Sequence, residues 1–417
     1  MSHLAPVWFQ VTDLQVESGH GSVVVTTDGT EYLDFTAGIA VTSTGHCHPK
    51  VVAAISEQAA KFIHAQVNCY RHPLLEQLGA RLAEITPPTI DTFFYANSGA
   101  EATEGALKLA KQATGRPNVI VFSGSFHGRT HQAMAMTTSK TSYRAGYAPL
   151  PSGAFVAPFP HWQATGETEA DATRRCLAEL RDLLMTQTAP AETAAVFLEP
   201  VLGEGGYLPA PRDFLRGVVD VCRELDLLFV ADEVQSGFCR TGRWFAVEHY
   251  DVEPDIIVMA KGIASGFPIS AIGASAALMS RWPVGSHGGT YGGNPIGCAA
   301  ALATIDVMSE SGFLDSVEAR GEQLRAGLSE LAAKHPVIRD VRGLGLMNGV
   351  ELYEADGSPA TARVAQVVAH CREEGRLLLM NAGTYGNILR WMPPLVVTRD
   401  EVSTGLAAFA TALDATG

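Results

Sequence analysis

The 417-residue chain has no Cys-x-x-Cys pair, no apolar run of bilayer length and no excess of basic charge. Each absence removes a class of function. The cysteines Cys47, Cys69, Cys176, Cys222, Cys239, Cys298 and Cys371 are scattered and odd in number. That speaks against a disulfide framework and fits reduced thiols in a cytosolic protein. A membrane span needs ~20 apolar residues in succession, and none occurs. The opening Met1-Ser2-His3-Leu4 leads into mixed polar sequence, so no signal peptide is expected. A net charge of −14 argues against nucleic acid and anionic membranes, which recruit a basic face. It leaves room for a local basic pocket that takes an acidic small molecule. His46-Cys47-His48 sets two ligand types side by side. Gly45 and Pro49 mark a turn there, and no third ligand follows at a usual spacing, so no metal is expected. There is no internal repeat and no low-complexity tract.

What is present is an ordinary globular balance, 47% hydrophobic and 18% charged, at a length that suits two or three domains. From about residue 92 to 275, strand-like runs (92–96, 118–122, 194–198, 227–231, 256–260) alternate with helical patterns such as 100–112 and the spacing of Phe214, Val218, Cys222 and Leu225. This alternation predicts an α/β fold with a mostly parallel sheet covered by helices on both faces. After about residue 300 the texture changes. Leu324, Leu328 and Leu331 mark a helix, residues 337–352 read as short strands broken by Gly343, Gly345 and Gly349, and a further helix covers 360–374. The expected division is residues 1–45 as an N-terminal part of a smaller α+β domain, 46–300 as a large domain, and 301–417 as the rest of the small domain.

Lysine is also scarce through the middle of the chain. Lys261 is the only one between Lys140 and Lys334, and it leaves an apolar run just before Gly262. Desolvation at such a place lowers the amine pKa and makes it nucleophilic. The preceding strand-like run ends in Asp232. An amine and a carboxylate at two strand ends suit pyridoxal phosphate, with the lysine holding the aldehyde as a Schiff base and the aspartate keeping the pyridine nitrogen protonated. A buried ion pair supporting the sheet would show the same spacing.

Other strand exits carry polar groups, because ligands of parallel sheets bind there. Asn97-Ser98-Gly99-Ala100 opens a helix whose free amides suit a phosphate, although an ordinary helix cap looks alike. In Ser125-Phe126-His127-Gly128-Arg129, Phe126 suits stacking on a planar ring and Arg129 suits a carboxylate. His127 reads as structural or ring-packing, not as a general base. Glu199-Pro200-Val201-Leu202-Gly203-Glu204 places two acids on a glycine-rich exit, one expected as a buried hydrogen-bond acceptor and the other facing a pocket. The glycines of 288–293 could bring the Thr290 hydroxyl close to a phosphate.

Together these motifs resemble the class III aminotransferases, of pyridoxal-phosphate fold type I, and are most similar to 4-aminobutyrate aminotransferases. The likeness covers nearly the whole chain. Its most specific stretches are Ala231-Asp232-Glu233-Val234-Gln235-Ser236-Gly237 and Ala260-Lys261-Gly262-Ile263-Ala264-Ser265-Gly266-Phe267-Pro268, joined by the stretch around Thr290. The resemblance implies pyridoxal 5'-phosphate as cofactor, with Lys261 as Schiff-base lysine and proton shuttle and Asp232 at the pyridine nitrogen. It puts Gln235 at the ring hydroxyl, Val234 and Phe126 on the two ring faces, and Ser98, Gly99 and Ala100 at the phosphate. Thr290 would reach in from the partner subunit of a cytoplasmic homodimer. Arg129 would take the distal carboxylate of an ω-amino acid, and Arg390 the α-carboxylate of glutamate or 2-oxoglutarate. Glu204 would neutralise Arg390 when an ω-amino acid is bound, and Ile39 would line the substrate pocket. Leu202 stands where many relatives carry glutamine, and Asn68 and Tyr70 lie in a segment that varies with substrate. The implied reaction moves the amino group of an ω-amino acid such as 4-aminobutyrate to 2-oxoglutarate. N-acetylornithine or ornithine transamination and a broad amine:pyruvate activity are the alternatives. A racemase, mutase or decarboxylase on the same cofactor is a further class.

Overall fold

The computed structural model describes residues 3–417; Met1 and Ser2, which open the expected N-terminal segment, lie outside the described residues. A seven-stranded sheet forms the centre, in the order Thr92–Ala96, Ser270–Ala274, Ile256–Met259, Leu228–Asp232, Thr193–Leu198, Asn118–Phe122, Ala154–Ala157. Every pairing from Ile256–Met259 outward to Ala154–Ala157 is parallel. Every residue of Thr193–Leu198 is buried, which is why that run shows no polar alternation. Ser270–Ala274 runs antiparallel to both neighbours. The connection from Met259 holds only the 3-10 turn Lys261–Ala264, too short for a helical crossover, so the chain must return antiparallel.

Helices cover both faces. Gly99–Thr114 lays Ala102, Ala106, Leu107, Leu109 and Ala110 against the sheet. On Arg212–Glu224 the buried stripe is Phe214, Leu215, Val218, Val219, Val221 and Cys222. Among the described residues no helix is long and apolar enough to cross a membrane.

Two four-stranded sheets flank this body. The antiparallel strands Val16–His20, Val23–Thr26 and Glu31–Asp34 are extended by Leu377–Leu378, which pairs parallel with Leu33 and Asp34. The other sheet has the order Ile338–Leu344, Met347–Leu352, Ile388–Trp391, Met380–Ala382. Its glycines correct one expectation. Gly345 turns the hairpin with φ 52°, but Gly349 does not break a strand. A Cβ there would come within 3.0 Å of the Gly206 carbonyl and 3.2 Å of Tyr207 Cβ, so Gly349 permits close approach of two segments.

Candidate active site

A cavity of about 420 Å³ opens at the carboxyl ends of the central strands. Each strand contributes through the residues that follow it. Thr92–Ala96 leads to Ser98, Gly99 and Ala100; Asn118–Phe122 leads to Phe126, His127 and Arg129; Thr193–Leu198 leads to Glu199. Leu228–Asp232 supplies Asp232, Val234 and Gln235, and Ile256–Met259 supplies Lys261. Parallel strands place their chain exits on one edge, which is why residues so far apart in sequence share one cavity.

Asp232 is buried and fixed on both oxygens. Oδ1 accepts the Val234 N–H at 3.1 Å, and Oδ2 lies 2.7 Å from Nδ1 of the buried His127. Burial works against a charged imidazole, but Asp232, seconded by Glu199, outweighs it and raises the His127 pKa. His127 therefore backs Asp232 through this contact and stands behind it as a structural group. Glu199 accepts the Phe126 N–H at 2.7 Å and the Gly203 N–H at 2.9 Å, so it is the buried acceptor of its loop. Burial pushes its carboxyl up to about 7, and His127 opposes the shift. Lys261 sits at φ 49°, an uncommon backbone state for a residue with a side chain, and it aims into the cavity. Burial pushes its amine down to about 8, while Glu204 pulls it up and Arg390 pulls it down.

The second wall is an ion-pair system. Glu204 and Arg390 pair directly through Oε1 and Nη1. The other Glu204 oxygen accepts the Tyr143 hydroxyl at 3.1 Å. Burial alone would raise the Glu204 pKa; Arg390 reverses this and holds it below the usual carboxylate range. Arg390 is buried on the strand Ile388–Trp391, and its guanidinium lies 6.0 Å from the centre of the Tyr207 ring. Arg129 is exposed to the cavity mouth, with Cζ 4.5 Å from the centre of the Tyr143 ring. The Gln235 carbonyl accepts the Tyr207 hydroxyl at 2.7 Å.

Not every expected residue joins this cavity. Thr290 is exposed and outside its lining, as are Asn68 and Tyr70, and Leu202 is buried and also outside the lining. Ile39 lies outside the lining too, and Val41 takes that place. Ala37, Gly38, Ile39 and Ala40 form a left-handed turn with φ of 45°, 62°, 66° and 58°. Asp34 steadies it by accepting the Thr36 and Ala37 N–H groups at 2.9 and 3.1 Å. Sequence reading missed Tyr143, Tyr207 and Val41. Tyr143 sits in a short polar stretch without periodicity, which offers no signal for a site.

The donors fit pyridoxal 5'-phosphate. Ser98 caps the helix Gly99–Thr114, accepting the Glu101 N–H at 3.3 Å, and Gly99 lies so close to Val234 that a Cβ would come within 2.9 Å of its Cγ1. The helix start is thereby pressed against Val234, with its amides available to an anion. An amine, a carboxylate and a helix N-terminus around one cavity, on this sheet order, define a pyridoxal-phosphate enzyme of fold type I. Residues 5–413 match the class III aminotransferase family. The chain is 41% identical to a 5-aminovalerate aminotransferase of Pseudomonas putida, over 95% of this chain and 93% of that protein. It is 39% identical to a 4-aminobutyrate aminotransferase of Escherichia coli, over 93% and 90% respectively. The solved omega transaminase from Pseudomonas jessenii in complex with PMP has a TM-score of 0.93 at 26% identity, covering 100% of this chain and 96% of that one. The chain belongs to the class III aminotransferases, whose cofactor is pyridoxal 5'-phosphate.

Proposed function

We propose that this enzyme transfers the amino group of an ω-amino acid, of the 4-aminobutyrate and 5-aminovalerate type, to 2-oxoglutarate. The observation that carries the reading is the buried Glu204–Arg390 pair beside Lys261, facing an Arg129 that makes no ion pair among the described residues. An ω-amino acid brings one carboxylate, distal to the reacting carbon, for which Arg129 is free. Glutamate and 2-oxoglutarate bring a second one, for which Arg390 becomes available once Glu204 yields. A buried unpaired charge is costly, so Arg390 needs one partner or the other in each half of the cycle. The names of the relatives at 41% and 39% identity support the same substrate class.

When bound, the cofactor supplies an electron sink for the carbanion left by loss of a proton beside the amine. In the proposed assignment Asp232, backed by His127, holds the charge at the pyridine nitrogen. Phe126 and Val234 flank the ring, Gln235 lies at its hydroxyl, and Ser98, Gly99 and Ala100 hold the phosphate. The Lys261 amine carries the proton between carbon atoms, a task suited to a pKa near the working pH. Thr290 serves the partner's site in a cytoplasmic homodimer, in keeping with its exposed position. Ile39, exposed and two residues before the lining Val41, is assigned to the mouth of the substrate pocket. Residues 1–45 and 301–417 form the small domain and 46–300 the large one.

The test is a donor panel against 2-oxoglutarate and pyruvate, with single-turnover rates for each half-reaction. Arg390→Ala is expected to damage the glutamate half more than the ω-amine half, and Glu204→Ala the reverse, each by about ten-fold or more. Equal losses in both halves would overturn the reading. Preference for pyruvate would favour a broad amine transaminase, and preference for N-acetylornithine or ornithine the corresponding transamination.

A further inference from the structure

Tyr143 touches both carboxylate-handling groups at once. It ends the short turn Thr141–Tyr143 and is half-buried. Its hydroxyl donates to Glu204 Oε2 at 3.1 Å, on the oxygen that Arg390 leaves free. Its ring is the platform for Arg129, with Cζ 4.5 Å from the ring centre. The same ring meets Phe126 edge-on, with centroids 5.2 Å apart and planes at 76°. One side chain thus bridges Arg129, Glu204 and Phe126. Burial, then Glu204, pushes the phenol up to about 12, so the hydroxyl remains a donor at working pH.

We propose that Tyr143 is a positioning residue that sets the balance between the two substrates: its hydroxyl holds Glu204 on Arg390, and its ring fixes Arg129. The inference rests on the substrate reading above and deepens it. With one oxygen on Arg390 and the other under the Tyr143 hydroxyl, both sides of the carboxylate are engaged. A dicarboxylate must break the Arg390 contact to bind. A hydrogen bond to a charged group opposes that departure, and losing one typically shifts an equilibrium by about ten-fold or more. A substrate with one carboxylate leaves the pair closed and does not feel this term. The ring acts differently, because both substrates place a carboxylate on Arg129.

The experiment uses cofactor-loaded enzyme and two unreactive probes, glutarate with two carboxylates and valerate with one, titrated by calorimetry. Tyr143→Phe keeps the ring and removes the hydroxyl. It is expected to bind glutarate about ten-fold more tightly and valerate as the wild type does. In turnover, KM for 2-oxoglutarate falls. Tyr143→Leu removes the platform as well, and it is expected to bind both probes roughly two- to five-fold more weakly than Tyr143→Phe. Equal shifts for glutarate and valerate in Tyr143→Phe, or no shift in either, would overturn the inference while leaving the substrate reading intact. Wild-type enzyme that fails to bind glutarate overturns that reading, and this inference with it.

Discussion

The wall that carries Asp232 and Lys261 grows from the ends of neighbouring parallel strands, paired from Val230 with Ile256 to Asp232 with Val258. The facing wall is assembled from three separate places: the loop of Arg129, the turn of Glu204 and a strand of another sheet, Ile388–Trp391. The first wall is held by hydrogen bonds that use both Asp232 oxygens and leave nothing to rearrange. In the second, the Glu204–Arg390 ion pair stands where the proposed function puts a substrate carboxylate. A site that holds one cofactor and alternates between two substrates needs both kinds of construction. In the proposed assignment, rigidity keeps a charge at the ring, and exchangeable contacts let the pocket change its own charge.

The sharpest way to break the comparison is to cut the rigid wall. Lys261→Ala is expected to lower turnover by roughly 10³-fold or more, since it removes both the anchor and the proton carrier. It should also abolish the borohydride-trapped cofactor adduct at this lysine. Retained turnover, or an adduct on another lysine, would dissolve the distinction between the walls. Asp232→Asn comes next, at ~10²-fold in rate, because it removes an electrostatic stabiliser without emptying the phosphate cradle. Near-normal rates with tightly held cofactor would show that the ring charge is kept elsewhere.

A smaller effect sharpens the same contrast. The Lys261 amine is pushed below its ordinary range to about 8, chiefly by burial, so it is mostly protonated at pH 7 and mostly neutral at pH 9. Association of pyridoxal 5'-phosphate with cofactor-free enzyme needs the neutral amine and is expected to accelerate about ten-fold across that interval. Glu204 and Arg390 act on this amine in opposite senses. Removing the acid in Glu204→Ala should move the midpoint down, and removing the cation in Arg390→Ala should move it up. Stopped-flow absorbance at a series of pH values reads both, and a midpoint unmoved by either variant would separate the walls electrostatically.

The two walls were also unequally legible in the sequence. Strand runs ending in Asp232 and before Lys261 stand out because parallel strands are apolar throughout and their polar exits are abrupt, as in the fully buried Thr193–Leu198. The reversed strand Ser270–Ala274 carried no mark of its direction, since direction follows from the length of a connection and not from the residues in the strand. On the other wall, Arg390 is one arginine among many until the sheet brings it to Glu204. Only the family resemblance singled it out. Tyr143 escaped both routes, because its role lies in partners 14 residues before it and 61 residues after it.

The pairing of Leu377–Leu378 beside Leu33 and Asp34 has a consequence for how the molecule is made. The strand Glu31–Asp34 leaves the ribosome more than 300 residues ahead of Leu377–Leu378, the segment that closes its edge. At ordinary synthesis rates, ~5–20 residues per second, that edge waits on the order of tens of seconds for its neighbour. An unpaired strand edge is a template for any other extended chain. An exposed edge on the strand Glu31–Asp34 is therefore a hazard of the growing polypeptide that ends only when Leu377–Leu378 pairs with it.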